Sequence, residues 1–466
     1  MQLNFKLNLL FIFSILCFTT FAQYQIGHYT KTFIDPDRGN RAIETEIYYP
    51  ANAQGNNTPI ASGDFPVIVF GHGFVMVWDA YENLWEEFVP RGYIMAFPKT
   101  EGNLFSTDHQ QFGWDLQFLV LKIQDEGNNS SSALFNGVNN NTALMGHSMG
   151  GGASFLAADS LCTNGNIQLK TIVGLAPAES TSNGVSSINS AVNVTIPSLV
   201  FSGSQDGVTP PIDHHLPIYN SLSSDCKTFI SVTGGGHCYF ANPNFNCDFG
   251  ESTSSTGISI SRAQQHAVTF DFLNLWLDYT LKDDCDSFST FQDSLAQSSR
   301  ITNNQNCVQN PIPIINENAG MLTCSVSGIG YQWFLNNSPI AGANSINYSP
   351  TTSGNYTVEV TFNDGCPTLS LEYIFSLTSI NNNTNFKQEI HLYPNPTSNT
   401  IHLQIERLYN NITLKLKDCN GRLISTKNYS SLNHISFNMS GFYQGFYILE
   451  LTNSKASFAR FSVIKK

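Results

Sequence analysis

The chain has 466 residues, with 22 basic against 35 acidic side chains and a formal net charge of −13. That length exceeds what one hydrophobic core supports and points to two or three domains. The acidic balance argues against nucleic acid as a partner.

Residues 1–22 stand apart from any domain. Lys6, an apolar run over 9–18 and the small-residue end Thr19-Thr20-Phe21-Ala22 make a signal peptide cleaved before Gln23. No later segment is long and apolar enough to span a bilayer, so an exported, soluble monomer is expected. Residues 23–305 then alternate strand and helix signals, which predicts an α/β domain with a mostly parallel sheet. Strands are expected at 45–49, 66–70, 93–97, 142–145, 171–175, 198–201 and 228–232, and helices near 79–91, 108–124, 149–160, 213–222 and 262–281. In the last helix Val268, Phe272, Trp276 and Tyr279 recur at helical spacing and should face the sheet.

Between the strand at 142–145 and the helix at 149–160 stands Gly146-His147-Ser148-Met149-Gly150-Gly151. Strand, sharp turn and helix form a nucleophile elbow. Its flanking glycines relieve a turn too tight for a Cβ, and the strained backbone pushes the Ser148 hydroxyl out over the sheet. The helix that begins at Met149 aims a free N–H and a positive dipole end at the reacting atom, which suits acyl transfer.

A serine hydroxyl is a poor nucleophile until a base takes its proton, so a histidine and an orienting carboxylate must follow. After the strand at 198–201, Gly203-Ser204-Gln205-Asp206-Gly207 puts Asp206 on the loop at its carboxyl end, where α/β sites gather. After 228–232, Gly234-Gly235-Gly236-His237 offers His237 at the same edge. Asp213 reads instead as a helix cap, and Glu179 as a second-choice carboxylate. His147, His214, His215 and His266 read as surface or packing residues. The turn Gly71-His72-Gly73-Phe74 supplies, by position, a second oxyanion donor from the N–H of Phe74, paired with that of Met149. The Phe74 ring should line the ester pocket, and His72 should only shape the turn. No metal or organic cofactor is needed for this chemistry. The interval 176–197 is small and polar, with no segment apolar enough for a lid, so an open cleft suited to bulky or polymeric esters is expected.

Of ten cysteines, Cys17 lies in the leader, and the others enter an oxidising compartment. Close spacings suggest Cys238 with Cys247, Cys285 with Cys307 and Cys324 with Cys366, more weakly Cys162 with Cys226, and leave Cys419 over. Spacing does not fix connectivity. No C-x-x-C pair supports zinc, and Asp283-Asp284-Cys285-Asp286 reads as a solvated acidic turn rather than a calcium loop. Beyond Pro311-Ile312-Pro313 the composition shifts to short alternating strands with no helix signal. Residues 308–378, with Trp333 between Cys324 and Cys366, resemble an immunoglobulin-like sandwich. Residues 379–387 form a polar linker, and 388–466 a third all-β unit.

That third unit carries Leu392-Tyr393-Pro394-Asn395-Pro396, Leu414-Lys415-Leu416-Lys417-Asp418 with Asn420-Gly421-Arg422, Gly445-Phe446-Tyr447-Ile448-Leu449 and a basic end, Lys465-Lys466. It resembles the C-terminal sorting domain of the type IX secretion system of Bacteroidetes. The resemblance implies that the secretion machinery is a partner, that the chain crosses the outer membrane, and that it ends secreted or on the cell surface.

Residues 60–305 resemble the bacterial cutinase and polyester hydrolase branch of the α/β-hydrolases. The likeness rests on Gly146-His147-Ser148-Met149-Gly150-Gly151-Gly152, on Asp206 followed by Pro210 and Pro217-Ile218-Tyr219-Asn220-Ser221-Leu222, and on Gly235-Gly236-His237. It implies an α/β-hydrolase fold, a serine ester hydrolase with Ser148, Asp206 and His237 as its triad, and a disulfide at the place of Cys285 and Cys307. Where polyester hydrolases usually carry a tryptophan that clamps an aromatic acyl group, Leu175-Ala176-Pro177-Ala178 has Ala178. Aliphatic polyesters are therefore expected over poly(ethylene terephthalate). Chlorophyllase-type and acetylhydrolase-type esterases share the scaffold, which makes a small-molecule esterase or lipase the alternative. An adhesion protein on a hydrolase scaffold is a further one, which the complete triad disfavours.

Overall fold

The computed structural model describes residues 24–179, 184–308, 310–362, 365–377, 390–452 and 458–466. The expected leader and the expected linker at 379–387 lie outside the described residues. The described residues divide into two units, one reaching to 350 and including 354–374, the other including 351–353 and continuing from 375.

The first unit is built on a ten-stranded sheet. Its strands are β1 (Gln25–Asp35), β2 (Arg41–Ala51), β3 (Gly55–Asn56), β4 (Phe65–Gly71), β5 (Ile94–Pro98), β6 (Val138–His147), β7 (Leu169–Leu175), β8 (Ser198–Gly203), β9 (Cys226–Val232) and β10 (Ile301–Cys307). They lie in the order β10-β9-β8-β7-β6-β4-β5-β2-β1-β3. Strands β4 to β9 run parallel to their neighbours among themselves, whereas β2 joins β5 and β10 joins β9 antiparallel.

Parallel strands need long crossovers, and the crossover helices cover both faces of the sheet. The crossovers carry α1 (Glu82–Phe88), α2 (His109–Asn128), α3 (Met149–Thr163), α4 (Ser187–Ala191) and α5 (His215–Ser221), and α6 (Phe245–Ser254), α7 (Arg262–Lys282) and α8 (Cys285–Gln297) lie between β9 and antiparallel β10. Central strand β4 accordingly reads Phe-Pro-Val-Ile-Val-Phe-Gly and is buried at every residue. Its side chains alternate between two cores, as a period of two requires. Val67 and Val69 join Phe112, Leu116 and Phe155 of α2 and α3, while Ile68 and Phe70 join Leu84, Phe272, Trp276 and Phe291 of α1, α7 and α8. The expected stripe on α7 is buried throughout, with Trp276 Nε1 donating to Thr171 Oγ1 at 2.9 Å.

Every strand and helix expected in this region forms, mostly with wider bounds. No sequence signal announces α4, α6, α8, β1, β3 or β10. Asp213 is not a cap: α5 starts at His215, and its N-cap is His214, whose side chain makes no capping bond.

The disulfides correct the spacing argument. Cys238–Cys247 forms, but Cys307 joins Cys226 rather than Cys285, because antiparallel β9 and β10 set these two residues opposite each other. Cys285 joins Cys366, so neither Cys324–Cys366 nor Cys162–Cys226 exists. Cys162 and Cys324 are free, as is Cys419. Strand register brings together residues that lie 81 positions apart, which no local spacing can reveal.

The first unit continues with β11 (Ile315–Asn318), β12 (Met321–Cys324), β13 (Gly330–Leu335), β14 (Ser338–Pro339), β15 (Asn347–Tyr348), β16 (Gly354–Thr361), β17 (Pro367–Leu369) and β18 (Tyr373–Phe375). Strands β11, β12 and β15 make one small sheet, and the others a second. Trp333 of β13 is fully buried and stacks on Tyr348 of β15 at 5.8 Å, so the two sheets face each other across aromatic rings.

The second unit is a five-stranded sheet of β19 (Ile390–Tyr393), β20 (Thr400–Asp418), β21 (Leu423–Asn438), β22 (Gly445–Thr452) and β23 (Phe458–Lys465), with its own core around Leu403, Leu414, Leu449 and Val463. Among the described residues no helix is long and apolar enough to cross a membrane.

Candidate active site

Strand β6 ends at His147 and α3 begins at Met149, so Ser148 alone turns the chain. Its φ of 55° and ψ of −120° lie outside the regions open to most L-residues. Neighbouring elements hold that strain in place. Ser148 N–H donates to Leu175 C=O at 3.0 Å, and its own C=O accepts from Gly152 N–H (3.0 Å) and Ala178 N–H (2.8 Å). A Cβ on Gly150 would overlap the backbone of Gly71, and one on Gly152 would overlap the Ala178 carbonyl oxygen. The elbow therefore packs directly on the loops after β4 and β7, and only glycine permits the approach. As the first residue of α3, Met149 has an N–H with no acceptor inside the helix.

The loops after β8 and β9 meet at the same edge. Asp206 Oδ2 accepts from His237 Nδ1 at 2.7 Å, while Oδ1 accepts the N–H groups of Val208 (2.9 Å) and Thr209 (2.8 Å). Both side chains are buried. Burial alone would raise the Asp206 carboxyl, but His237, His215 and the Thr209 N–H outweigh it and hold the group below its usual range.

His147 links the elbow to this pair. Its ring lies 4.7 Å from that of His237, and its Nε2–H donates to the His237 carbonyl at 3.0 Å. Its Nδ1 accepts from the Tyr81 hydroxyl (2.8 Å), which in turn accepts the Gly73 N–H (2.8 Å). Burial pushes the His147 ring well below its ordinary pKa, and a neutral ring can accept at one nitrogen while donating at the other. Among the described residues Ser148 Oγ makes no hydrogen bond. The expected hydrogen bond between Ser148 Oγ and His237 is therefore not among its contacts.

At the expected oxyanion turn, Met76 N–H closes on Gly73 C=O at 3.1 Å. The Phe74 ring is 46% exposed there, and Phe74 N–H bonds to no protein group among the described residues. His72 bridges the carbonyls of Gly73 and Thr100, in keeping with a shaping part. Ala178 is half-buried beside the elbow. Glu179 is turned away: its carboxylate accepts from Ser186 Oγ (2.6 Å) and Ile188 N–H (2.8 Å) at the start of α4.

Helix α6, which no sequence signal announces, touches three of these loops. The Cys238–Cys247 disulfide ties it to the residue after His237, Asn246 Nδ2 donates to Val75 C=O at 3.0 Å, and Gly207 N–H donates to Ser255 Oγ at 2.9 Å. Buried Glu251 accepts the N–H groups of both His237 and Cys238. Burial pushes its carboxyl up, and those donors offset the rise only in part. Glu251→Ala strands two buried donors at about 1–3 kcal/mol each. Calorimetry should show a melting temperature lower by several degrees, and an unchanged melt would refute the contact's importance. Cys238, Asp248 and Glu251 lie close together, but Cys238 is oxidised and Asp248 is paired with Arg262 at 2.6 Å. Such a set is ill suited to a metal ion.

Exposed large apolar side chains gather on the loops at this edge. They are Phe74 and Val77 after β4, Leu104 and Phe105 after β5, Val208 and Ile212 after β8, and Phe245 and Phe249 on α6.

A mixed sheet covered on both faces, with a strained serine between a central strand and its helix, defines an α/β-hydrolase. Residues 24–258 match the model of the PET hydrolase-like family, and residues 391–465 that of the secretion system C-terminal sorting domain. The chain belongs to the PET hydrolase-like family, and its sorting domain marks it as secreted or held at the cell surface. Its curated relatives include Cutinase 2 of Thermobifida cellulosilytica and Cutinase cut1 of Thermobifida fusca, each 26% identical over 195 residues, or 41% of this chain. The chain spans 64% of the length of the first and 52% of the second.

Proposed function

We propose that the chain is a secreted serine carboxylester hydrolase of the cutinase and polyesterase kind. Ser148 attacks the ester carbonyl, and His237 takes its proton and later gives it to the leaving alcohol. Asp206 orients the imidazole and stabilises its charged form. The N–H groups of Phe74 and Met149 bind the oxyanion, a contribution of order 3 kcal/mol for each donor in other enzymes. One observation carries the reading: the buried 2.7 Å pair of Asp206 and His237 sits at the sheet edge where Ser148 is held in its strained turn. We assign the catalytic domain to residues 23–305, an immunoglobulin-like domain to 308–378 and the sorting domain to 388–466.

The apolar side chains on three loops and on α6 support a bulky or polymeric ester, since an extended hydrophobic substrate covers the rim while one linkage enters the cleft. Ala178 offers no ring to stack on an aromatic acyl group, so an aliphatic chain fits better than a terephthalate. Purified mature protein should hydrolyse a p-nitrophenyl short-acyl ester and release soluble product from aliphatic polyester film faster than from poly(ethylene terephthalate) film. Absence of turnover on every ester sinks the hydrolase reading. Faster attack on the aromatic film sinks the weight placed on Ala178.

A further inference from the structure

Behind the acid lies a second buried histidine that the proposed reaction does not use. His215 is fully buried, and its Nε2 lies 3.7 Å from Asp206 Oδ2. Between them stands the Thr209 hydroxyl, 3.1 Å from Asp206 Oδ2, 2.9 Å from His215 Nε2 and 2.9 Å from His237 Nδ1. On its far side His215 Nδ1 meets Ser202 Oγ at 2.9 Å. We infer that Thr209 and His215 are positioning residues for the triad, ordering the protons behind Asp206 so that His237 keeps its proton on Nδ1 and presents a bare Nε2 to Ser148. This rests on the hydrolase reading above.

Counting donors gives the direction. Thr209 has one hydroxyl proton and three neighbours. Donated to Asp206, that proton joins His237 Nδ1–H on Oδ2 while the two backbone N–H groups fill Oδ1. The Thr209 lone pair then faces His215, which must donate from Nε2–H, and His215 Nδ1 at 2.9 Å accepts the Ser202 hydroxyl proton in competition with the Gly203 C=O at 3.3 Å. Only a neutral ring can do both, and burial holds His215 down to about 3, so it is neutral wherever an esterase works. If His215 lost its Nε2–H, Thr209 would gain an acceptor there and could turn its proton away from the acid.

The charged and titratable groups facing Asp206 and His237 are His147 from the elbow, Glu251 from α6, and His214 with His215 from α5. Losing the Thr209 donor concentrates charge on Asp206 Oδ2, which favours the imidazolium. The acid limb of kcat/KM should therefore move to higher pH.

The test uses the mature protein and p-nitrophenyl butyrate. Thr209→Val should raise the acid-limb midpoint by about half a pH unit and lower kcat about tenfold, with KM little changed, whereas His215→Leu gives the Thr209 hydroxyl no second acceptor, leaves its proton on Asp206 and should move the limb little. The double variant should move no further than Thr209→Val alone, because His215 acts on Asp206 only through the Thr209 hydroxyl. Thr209→Ser should recover most of the shift. A Thr209→Val limb that stays put, or a double variant that shifts further than Thr209→Val, overturns the inference. A readout free of activity is 15N NMR of the wild-type imidazoles, in which His215 should carry its proton on Nε2 and His237 on Nδ1. His215 protonated on Nδ1 overturns the inference even if the enzyme is active. An inactive wild type overturns the hydrolase reading, and with it the roles assigned here.

Discussion

Ser148→Ala should lower kcat on p-nitrophenyl butyrate by about a millionfold, the scale seen when a triad nucleophile is removed from another serine hydrolase. The fold should hardly notice. Among the described residues Ser148 Oγ makes no hydrogen bond, and the contacts that keep the turn in place run through its backbone, to Leu175, Gly152 and Ala178. Alanine has the same Cβ and meets the same positive φ of 55°, so the strain is neither relieved nor increased. Melting temperature and circular dichroism should match the wild type, which separates lost chemistry from lost structure. KM for the ester should change little, since the hydroxyl contributes to bond-making rather than to docking. Residual turnover within a hundredfold of wild type would show that another group attacks, and the assignment of Ser148 would fall.

The elbow was legible in the sequence because its requirements are local. Gly146, Gly150 and Gly152 are glycines for reasons of close approach, and each lies within a few residues of the serine it serves. Asp206 and His237 were legible for a related reason: glycine-rich loops at the carboxyl ends of strongly apolar strands can be recognised without knowing the sheet order. What escaped was decided by tertiary contacts. Helix α6, Phe-Asn-Cys-Asp-Phe-Gly-Glu-Ser-Thr-Ser, has a glycine and several residues of modest helix propensity. Its place is held by Asn244 at its N-cap, by the Cys238 disulfide and by Glu251 reaching back to the histidine loop. His147 and His215 look like any other histidines in the chain, because burial and hydrogen-bond partners set their state and neither is written locally. Cys238–Cys247, nine residues apart, was legible from spacing, whereas Cys226 meets Cys307 only through the register of β9 and β10.

Asp206→Asn should lower kcat by about ten-thousandfold near neutral pH, and the geometry says why. The amide has one acceptor oxygen and one donor nitrogen, and its surroundings choose their places. At Oδ1 two backbone N–H groups, from Val208 and Thr209, require an acceptor, so the amide oxygen settles there. The amide nitrogen then occupies the Oδ2 position, 2.7 Å from His237 Nδ1. Facing a donor, Nδ1 must accept, which moves the imidazole proton to Nε2, the nitrogen that has to receive the proton of Ser148. The base is present but in the wrong tautomer, and the imidazolium of the transition state has lost its counter-charge.

The folded pKa of Asp206 is lowered, so its ionisation contributes stability above its unfolded value near pH 4, and that contribution fades as pH falls through the folded value. Melting temperatures of wild type and variant should therefore differ most near neutral pH and converge in acid. Kinetics, 15N NMR of His237 and melting against pH together make the test. A variant that retains wild-type turnover, or whose His237 still carries its proton on Nδ1, would remove Asp206 from the role of orienting acid.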